Sequence, residues 1–155
     1  MPPSAFIGIM TQAAQDCQRK TGIPASFTLA QAALESGWGS RCPGNNLFGV
    51  KADRSWKGPT VDVPTHEVIK GVRVAVVDKF RAYSSWEECM VDHAKFFRDN
   101  RRYASCFRET TGEGWARAVA AAGYATDPNY ASLLISVMRG RNMAQYDVQP
   151  TKVSA

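Results

Sequence analysis

The chain has 155 residues, of which 45% are apolar and 21% charged, with a net charge of +5. That length suits one domain with a buried core, and the composition is that of a soluble globular protein rather than a disordered or collagen-like one. No apolar run approaches the ~20 residues needed to cross a bilayer. Met1-Pro2-Pro3-Ser4 lacks the basic and apolar regions of a secretory signal, so synthesis in the cytoplasm is expected. The positive balance favours anionic polymers in general. Arg98, Arg101, Arg102 and Arg108 are interrupted by Asp99 and Glu109, which reads as a solvated helix face and not as a nucleic-acid site. Cys17, Cys42, Cys89 and Cys106 form no C-x-x-C pair, and only His66 and His93 offer imidazoles, so no metal site is expected. A cytoplasmic start implies free thiols, with Cys17 and Cys89 in the core.

Ser4 is placed to cap a helix from Ala5 to Thr21, with Phe6, Ile9, Met10, Ala13 and Cys17 as its buried stripe. Gly22 stops it and Pro24 follows. A second helix begins at Ser26 or Thr28 and carries Leu29, Ala32, Ala33 and Glu35 before Gly37 and Gly39 end it. A carboxyl in that last turn meets the negative end of the helix dipole and apolar neighbours, which both favour its protonated form. A protonated carboxylic acid near neutral pH is what a glycosidase uses to protonate a leaving oxygen. The plainer reading is a surface glutamate on an amphipathic helix.

Arg41 to Asn46 is turn chemistry, and Leu47 to Lys51 reads as a strand fragment or a packed loop. Thr60–Val68 and Val72–Arg81 alternate as two strands around an Ile69-Lys70-Gly71 loop, with Pro64 marking an edge. Ser84 or Ser85 caps a helix running to Asn100, on whose apolar stripe His93 reads as a core histidine. A short helix starts at Arg102, another spans Glu113 to Ala122, and the last begins at Asp127-Pro128. One domain over residues 1–146 is expected, with a frayed tail over 147–155. The outline is α+β and mainly helical, with one small β-hairpin lobe.

Four words stand in order: Ala33-Leu34-Glu35-Ser36-Gly37-Trp38-Gly39, Asn46-Leu47-Phe48-Gly49-Val50-Lys51, Phe80-Arg81-Ala82-Tyr83-Ser84-Ser85 and Gly123-Tyr124-Ala125-Thr126-Asp127-Pro128-Asn129-Tyr130-Ala131. Together they resemble the peptidoglycan N-acetylglucosaminidases of glycoside hydrolase family 73, over about Phe6 to Met138. The resemblance implies a lysozyme-like fold, with glycan in a groove between a helical lobe and the hairpin. It implies Glu35 as the catalytic acid, Glu67 as the second carboxylate and Tyr124 beside the reacting sugar. Asn46, Phe48 and Tyr130 are implied as groove residues, although Tyr130 also reads as helix core, Phe48 as packing and Asn46 as a turn residue. Two departures bear on groove shape: Val68 stands where the family often has an aromatic, and the segment from Gly39 to Asn46 is shorter than in flagellar relatives.

The implied reaction is hydrolysis of a β-1,4 bond in peptidoglycan, with no cofactor. Glu67 is left with three routes: activating water, attacking directly, or ceding attack to the substrate's N-acetyl oxygen. A muramidase, a lytic transglycosylase and a non-catalytic wall-binding module are the alternatives. The partner is the glycan strand, and a monomer is expected. A phage or prophage endolysin, made in the cytoplasm and acting on the wall after release, is the expected setting. A flagellar domain and a secreted effector compete with it.

Overall fold

In a computed structural model, residues 1–149 are described. The elements in order are α1 (Pro3–Thr21), α2 (Ala25–Ser36), β1 (Thr60–Ile69), β2 (Val72–Arg81), α3 (Trp86–Asp99), α4 (Gly112–Ala121) and α5 (Tyr130–Gly140). Short 3-10 turns occupy Pro43–Asn45, Arg101–Arg108 and Met143–Tyr146. The result is a helical body carrying one antiparallel two-stranded ribbon, β1 paired with β2.

The body is built around α2. Every residue from Ala25 to Ala33 is buried, because α1, α4, α5 and the Met143–Tyr146 turn all pack on it. Small side chains at Ala30, Ala32 and Ala33 let those neighbours approach. On its far face Phe27 sits 5.6 Å from Trp115 and 5.9 Å from Phe97, ring centre to ring centre. A helix apolar on most sides is a core helix, so the single apolar side expected for it underestimates its burial.

Several boundaries differ from the sequence reading for identifiable reasons. Pro3 begins α1, so Ser4 does not cap it; a proline at the first helical position has no amide to leave unpaired. The buried stripe of α1 is Phe6, Ile7, Met10, Ala14 and Cys17, with Ile9 turned to solvent. Leu47 and Phe48 belong to a packed loop whose only ladder contact, among the described residues, is the bridge from Lys51 to Phe80. Ile69 pairs with Val72, which shortens the hairpin loop to Lys70-Gly71. Both turn residues have positive φ, 50° and 79°, the twist that suits a two-residue connection between right-twisted strands. Asp127 accepts from the Asn129 amide at 2.8 Å and closes a turn, so α5 starts three residues later at Tyr130.

The tail is pinned where fraying was expected to start. Asp147 accepts from the amide and hydroxyl of Ser26, at 2.7 and 2.9 Å, and the Val148 amide donates to Gln18. Asp147 thereby satisfies one of the free amides at the start of α2. Residues 150–155 of that tail lie outside the described residues. All four cysteines are free thiols, with Cys17, Cys89 and Cys106 buried.

Candidate active site

Glu35 lies in the last turn of α2, and the backbone beyond it explains why it faces a cleft. Gly37, Trp38 and Gly39 all have positive φ, at 58°, 57° and 83°. A side chain on Gly37 would come within 2.9 Å of Ser40 Oγ, and one on Gly39 within 3.2 Å of the Phe6 ring. Glycine is what permits this tight reversal. Ser36 ties it down, donating to Ala32 O at 2.6 Å and accepting from the Gly39 amide at 2.9 Å.

Glu35 is half-buried at the junction of two openings. The larger, about 550 Å³, is lined by Glu35, Phe48, His93, Phe96, Arg102, Tyr103, Tyr124 and Thr126. The smaller, about 160 Å³, is lined by Glu35, Arg41, Asn46, Val63 and Phe80. The last two residues come from the hairpin, so the acid stands where body and ribbon meet. A second cavity of about 550 Å³ lies by α4 and α5. Its Glu113 is ion-paired to Arg139 and Arg117, and its Asp147 is bound by Ser26.

The environment of Glu35 is more polar than its apolar neighbours in sequence imply. The Tyr130 hydroxyl donates to Glu35 Oε1 at 2.9 Å. Tyr130 is buried and lines neither opening, so it meets Glu35 through its hydroxyl alone. Tyr124 lines the groove, stacked on Tyr130 at 5.6 Å, with its hydroxyl 3.4 Å from His93 Nε2. Burial raises the Tyr124 hydroxyl well above its ordinary pKa, and burial raises that of Tyr130 too, so both remain neutral donors. Phe48 lines the groove while stacking on His93 at 3.9 Å. His93 is buried, and its desolvation, with Arg81 adding less, pushes its pKa down to about 3.

Asn46 is a brace. Its amide donates to Val50 O and Arg81 O, both at 2.9 Å, and accepts from the Val50 amide at 3.1 Å. With those groups engaged and the residue buried, it shapes the smaller opening and ties the loop to the foot of β2. Glu67 is exposed, opposite Val74, and lines neither opening. It shares a strand face with Val63, four residues away, which is roughly 13 Å along the ribbon. The structure therefore does not place the two expected carboxylates together.

Sequence reasoning missed Asp78 and Gln31. Asp78 stands directly across from Val63 on the face that points toward Glu35, ion-paired with Lys51 at 3.4 Å. Only the register exposes it. Gln31 is fully buried in an otherwise apolar stretch of α2, and a lone amide among alanines was a readable signal. No group of three or more potential metal ligands occurs among the described residues, and no helix there is long and apolar enough to cross a membrane.

A carboxylic acid at the end of a buried helix, facing a cleft between a helical body and a β ribbon, defines a lysozyme-like glycoside hydrolase domain. Residues 11–143 match the glucosaminidase family, described as mannosyl-glycoprotein endo-beta-N-acetylglucosaminidase, and the chain belongs to that family. It is 42% identical over 142 residues to the peptidoglycan hydrolase FlgJ of Escherichia coli K12, covering 87% of this chain and 45% of FlgJ. It is 37% identical over 150 residues to the exo-glucosaminidase LytG of Bacillus subtilis, covering 92% of this chain and 52% of LytG. The chain thus spans about half the length of these curated relatives. A C-terminally truncated glycoside hydrolase domain of Salmonella typhimurium FlgJ superposes with a TM-score of 0.81 at 40% identity, covering 92% of this chain and 99% of that one. The catalytic domain of the Listeria monocytogenes autolysin Auto gives 0.81 at 31% identity, covering 95% and 89%.

Proposed function

We propose that this domain hydrolyses β-1,4 bonds in peptidoglycan as an endo-β-N-acetylglucosaminidase, with Glu35 as general acid. The observation that carries the reading is the placement of Glu35, held by a buried helix at the meeting point of the two openings. Glu35 gives its proton to the glycosidic oxygen. The anomeric C–O bond breaks with its electron pair on that oxygen, and the sugar left behind becomes oxocarbenium-like. Water then adds to the anomeric carbon and gives up a proton to a second carboxylate, as in an inverting reaction. Phe48, Phe96 and Tyr124 offer the sugar apolar surface, and Tyr124 is a neutral donor beside it. The net charge of +5 draws the domain toward an anionic wall.

Glu67 is the proposed second carboxylate. Its distance along the ribbon from Val63 favours a groove that closes on substrate over direct attack, which needs carboxyls about 5 Å apart. The register supports Asp78 as a second reading, since it lies opposite Val63 beside the smaller opening. The domain acts as a monomer. For setting we infer a phage or prophage endolysin that is made in the cytoplasm and reaches the wall after release. Expression in a bacterial host tests this: lysis that needs membrane permeabilisation supports it, and none after permeabilisation contradicts it. The enzymatic reading is tested with Glu35→Gln on purified sacculi. Loss of soluble fragments at unchanged sacculus binding is expected, and fragment release at the wild-type rate would overturn it.

A further inference from the structure

Three helices distant in sequence meet behind Glu35. Gln31 of α2 is fully buried; its Nε2 donates to the Tyr130 hydroxyl at 3.0 Å, and its Oε1 lies 2.9 Å from His93 Nε2. Tyr130 Oη in turn lies 2.9 Å from Glu35 Oε1. The direction of these bonds follows from the far end. In the ionised state a carboxylate oxygen only accepts, so Tyr130 spends its one proton on Glu35; the acid form keeps that direction when its own proton sits on Oε2. Its oxygen is then free to accept from the Gln31 amide nitrogen. That turns the Gln31 carbonyl toward His93, whose proton must sit on Nε2. His93 Nδ1 has no partner among the described residues, as fits the unprotonated nitrogen of a neutral ring held between Phe48 and Phe96. Every bond runs one way, from His93 through Gln31 and Tyr130 to Glu35.

We propose that Gln31 is a positioning residue that fixes Tyr130 as a donor to Glu35 Oε1 and thereby assigns the transferable proton to Oε2. The inference rests on Glu35 being the acid. When the Oε2 proton passes to the glycosidic oxygen, the carboxylate left behind keeps the Tyr130 donor on Oε1. The other titratable or charged groups around Glu35 are Arg41 after α2, His93, Arg102, Tyr103 and Tyr124 around the larger opening and, from the hairpin, Asp78 beside Val63 with its partner Lys51. Among the described residues, Tyr130 alone hydrogen-bonds the Glu35 side chain.

The test uses the full chain and solubilised peptidoglycan strands, with Gln31→Met, Tyr130→Phe, their double variant and Glu35→Gln. Gln31→Met is expected to lower kcat roughly 10- to 100-fold, the scale of a mispositioned catalytic group, with KM within about twofold. The alkaline limb of the pH–rate profile, where the acid's proton is lost, should move to higher pH in Gln31→Met and Tyr130→Phe alike. The double variant should be no slower than Tyr130→Phe. A wild-type kcat in Gln31→Met, an unmoved limb, or losses that multiply would each overturn the proposal. Should Gln31→Met fail to fold, the wild-type protein decides by NMR. A slowly exchanging Tyr130 hydroxyl proton with a cross-peak to the Gln31 side-chain amide supports the proposal, and its absence overturns it. An active Glu35→Gln would remove the acid reading itself, whereas an inactive Glu35→Gln beside a normal Gln31→Met would remove only the positioning role.

Discussion

The helical body and the hairpin hold their carboxylates in opposite ways. Glu35 stands on a helix buried from Ala25 to Ala33, with its last turn clamped by Ser36 and its carboxylate bound by Tyr130. Glu67 stands on a ribbon whose last four residue pairs are exposed on both strands, Val68 at 74% and Val72 at 61% among them. Among the described residues, the ribbon's ties to the body gather at its foot. There Asn46 binds Arg81 O, Arg81 pairs with Asp92 at 2.9 Å, and the Ala82 amide donates to Pro59 O at 2.9 Å. A two-stranded hairpin has marginal stability by itself. The body thus fixes the angle of its carboxylate, whereas the ribbon carries Glu67 toward an exposed tip.

The largest expected break falls in the body. Phe27→Ala removes the ring between Phe97 and Trp115 and should cost about 3–5 kcal/mol in a denaturant titration. Glu67→Gln sharpens the contrast from the other side: roughly a hundredfold loss of turnover, within the range of general acid–base groups, with no change in melting temperature. If Asp78→Asn rather than Glu67→Gln shows that loss, the second carboxylate is the one nearer the ribbon's foot.

Acid should weaken the body through His93. Its native pKa is pushed down to about 3 from an ordinary 6.5, so between those values the unfolded chain binds a proton that the native chain does not. The stabilisation is present above pH 6.5 and is lost as pH falls toward 3, by up to about 1.4 kcal/mol per pH unit. Urea midpoints for wild type and His93→Gln should show the steeper decline in wild type. At the ribbon's foot, Asn46→Ala leaves two part-buried backbone groups, Arg81 O and the Val50 amide, without their partner and should cost about 1–3 kcal/mol. The same variant should loosen the hairpin in hydrogen exchange while leaving α2 protected.

Much of this division was legible before coordinates. The glycines after Glu35 announced a helix end with a carboxyl on it, and the alternation from Thr60 to Arg81 announced the ribbon. The apolar stripe of α3 put His93 in the core. What escaped depends on distance in space. The partners Gln31, His93 and Tyr130 are 62 and 99 positions apart in their two hydrogen bonds, and no local pattern pairs them. Asp78 carries no local signal of a role, and the register alone sets it opposite Val63. Asp127-Pro128 has the look of a helix start, but its local turn satisfies Asp127 first. The tail after Tyr146 lacks periodicity, yet one side chain, Asp147, anchors it to the open end of α2.

The proposed reaction cuts the bond following N-acetylglucosamine, with the acid at the meeting of body and ribbon. Mass spectrometry of sacculi digested by the wild-type protein reads this directly, from the sugar at each new chain end. Reducing N-acetylglucosamine ends are predicted. Reducing N-acetylmuramic acid, or its 1,6-anhydro form, would contradict the account.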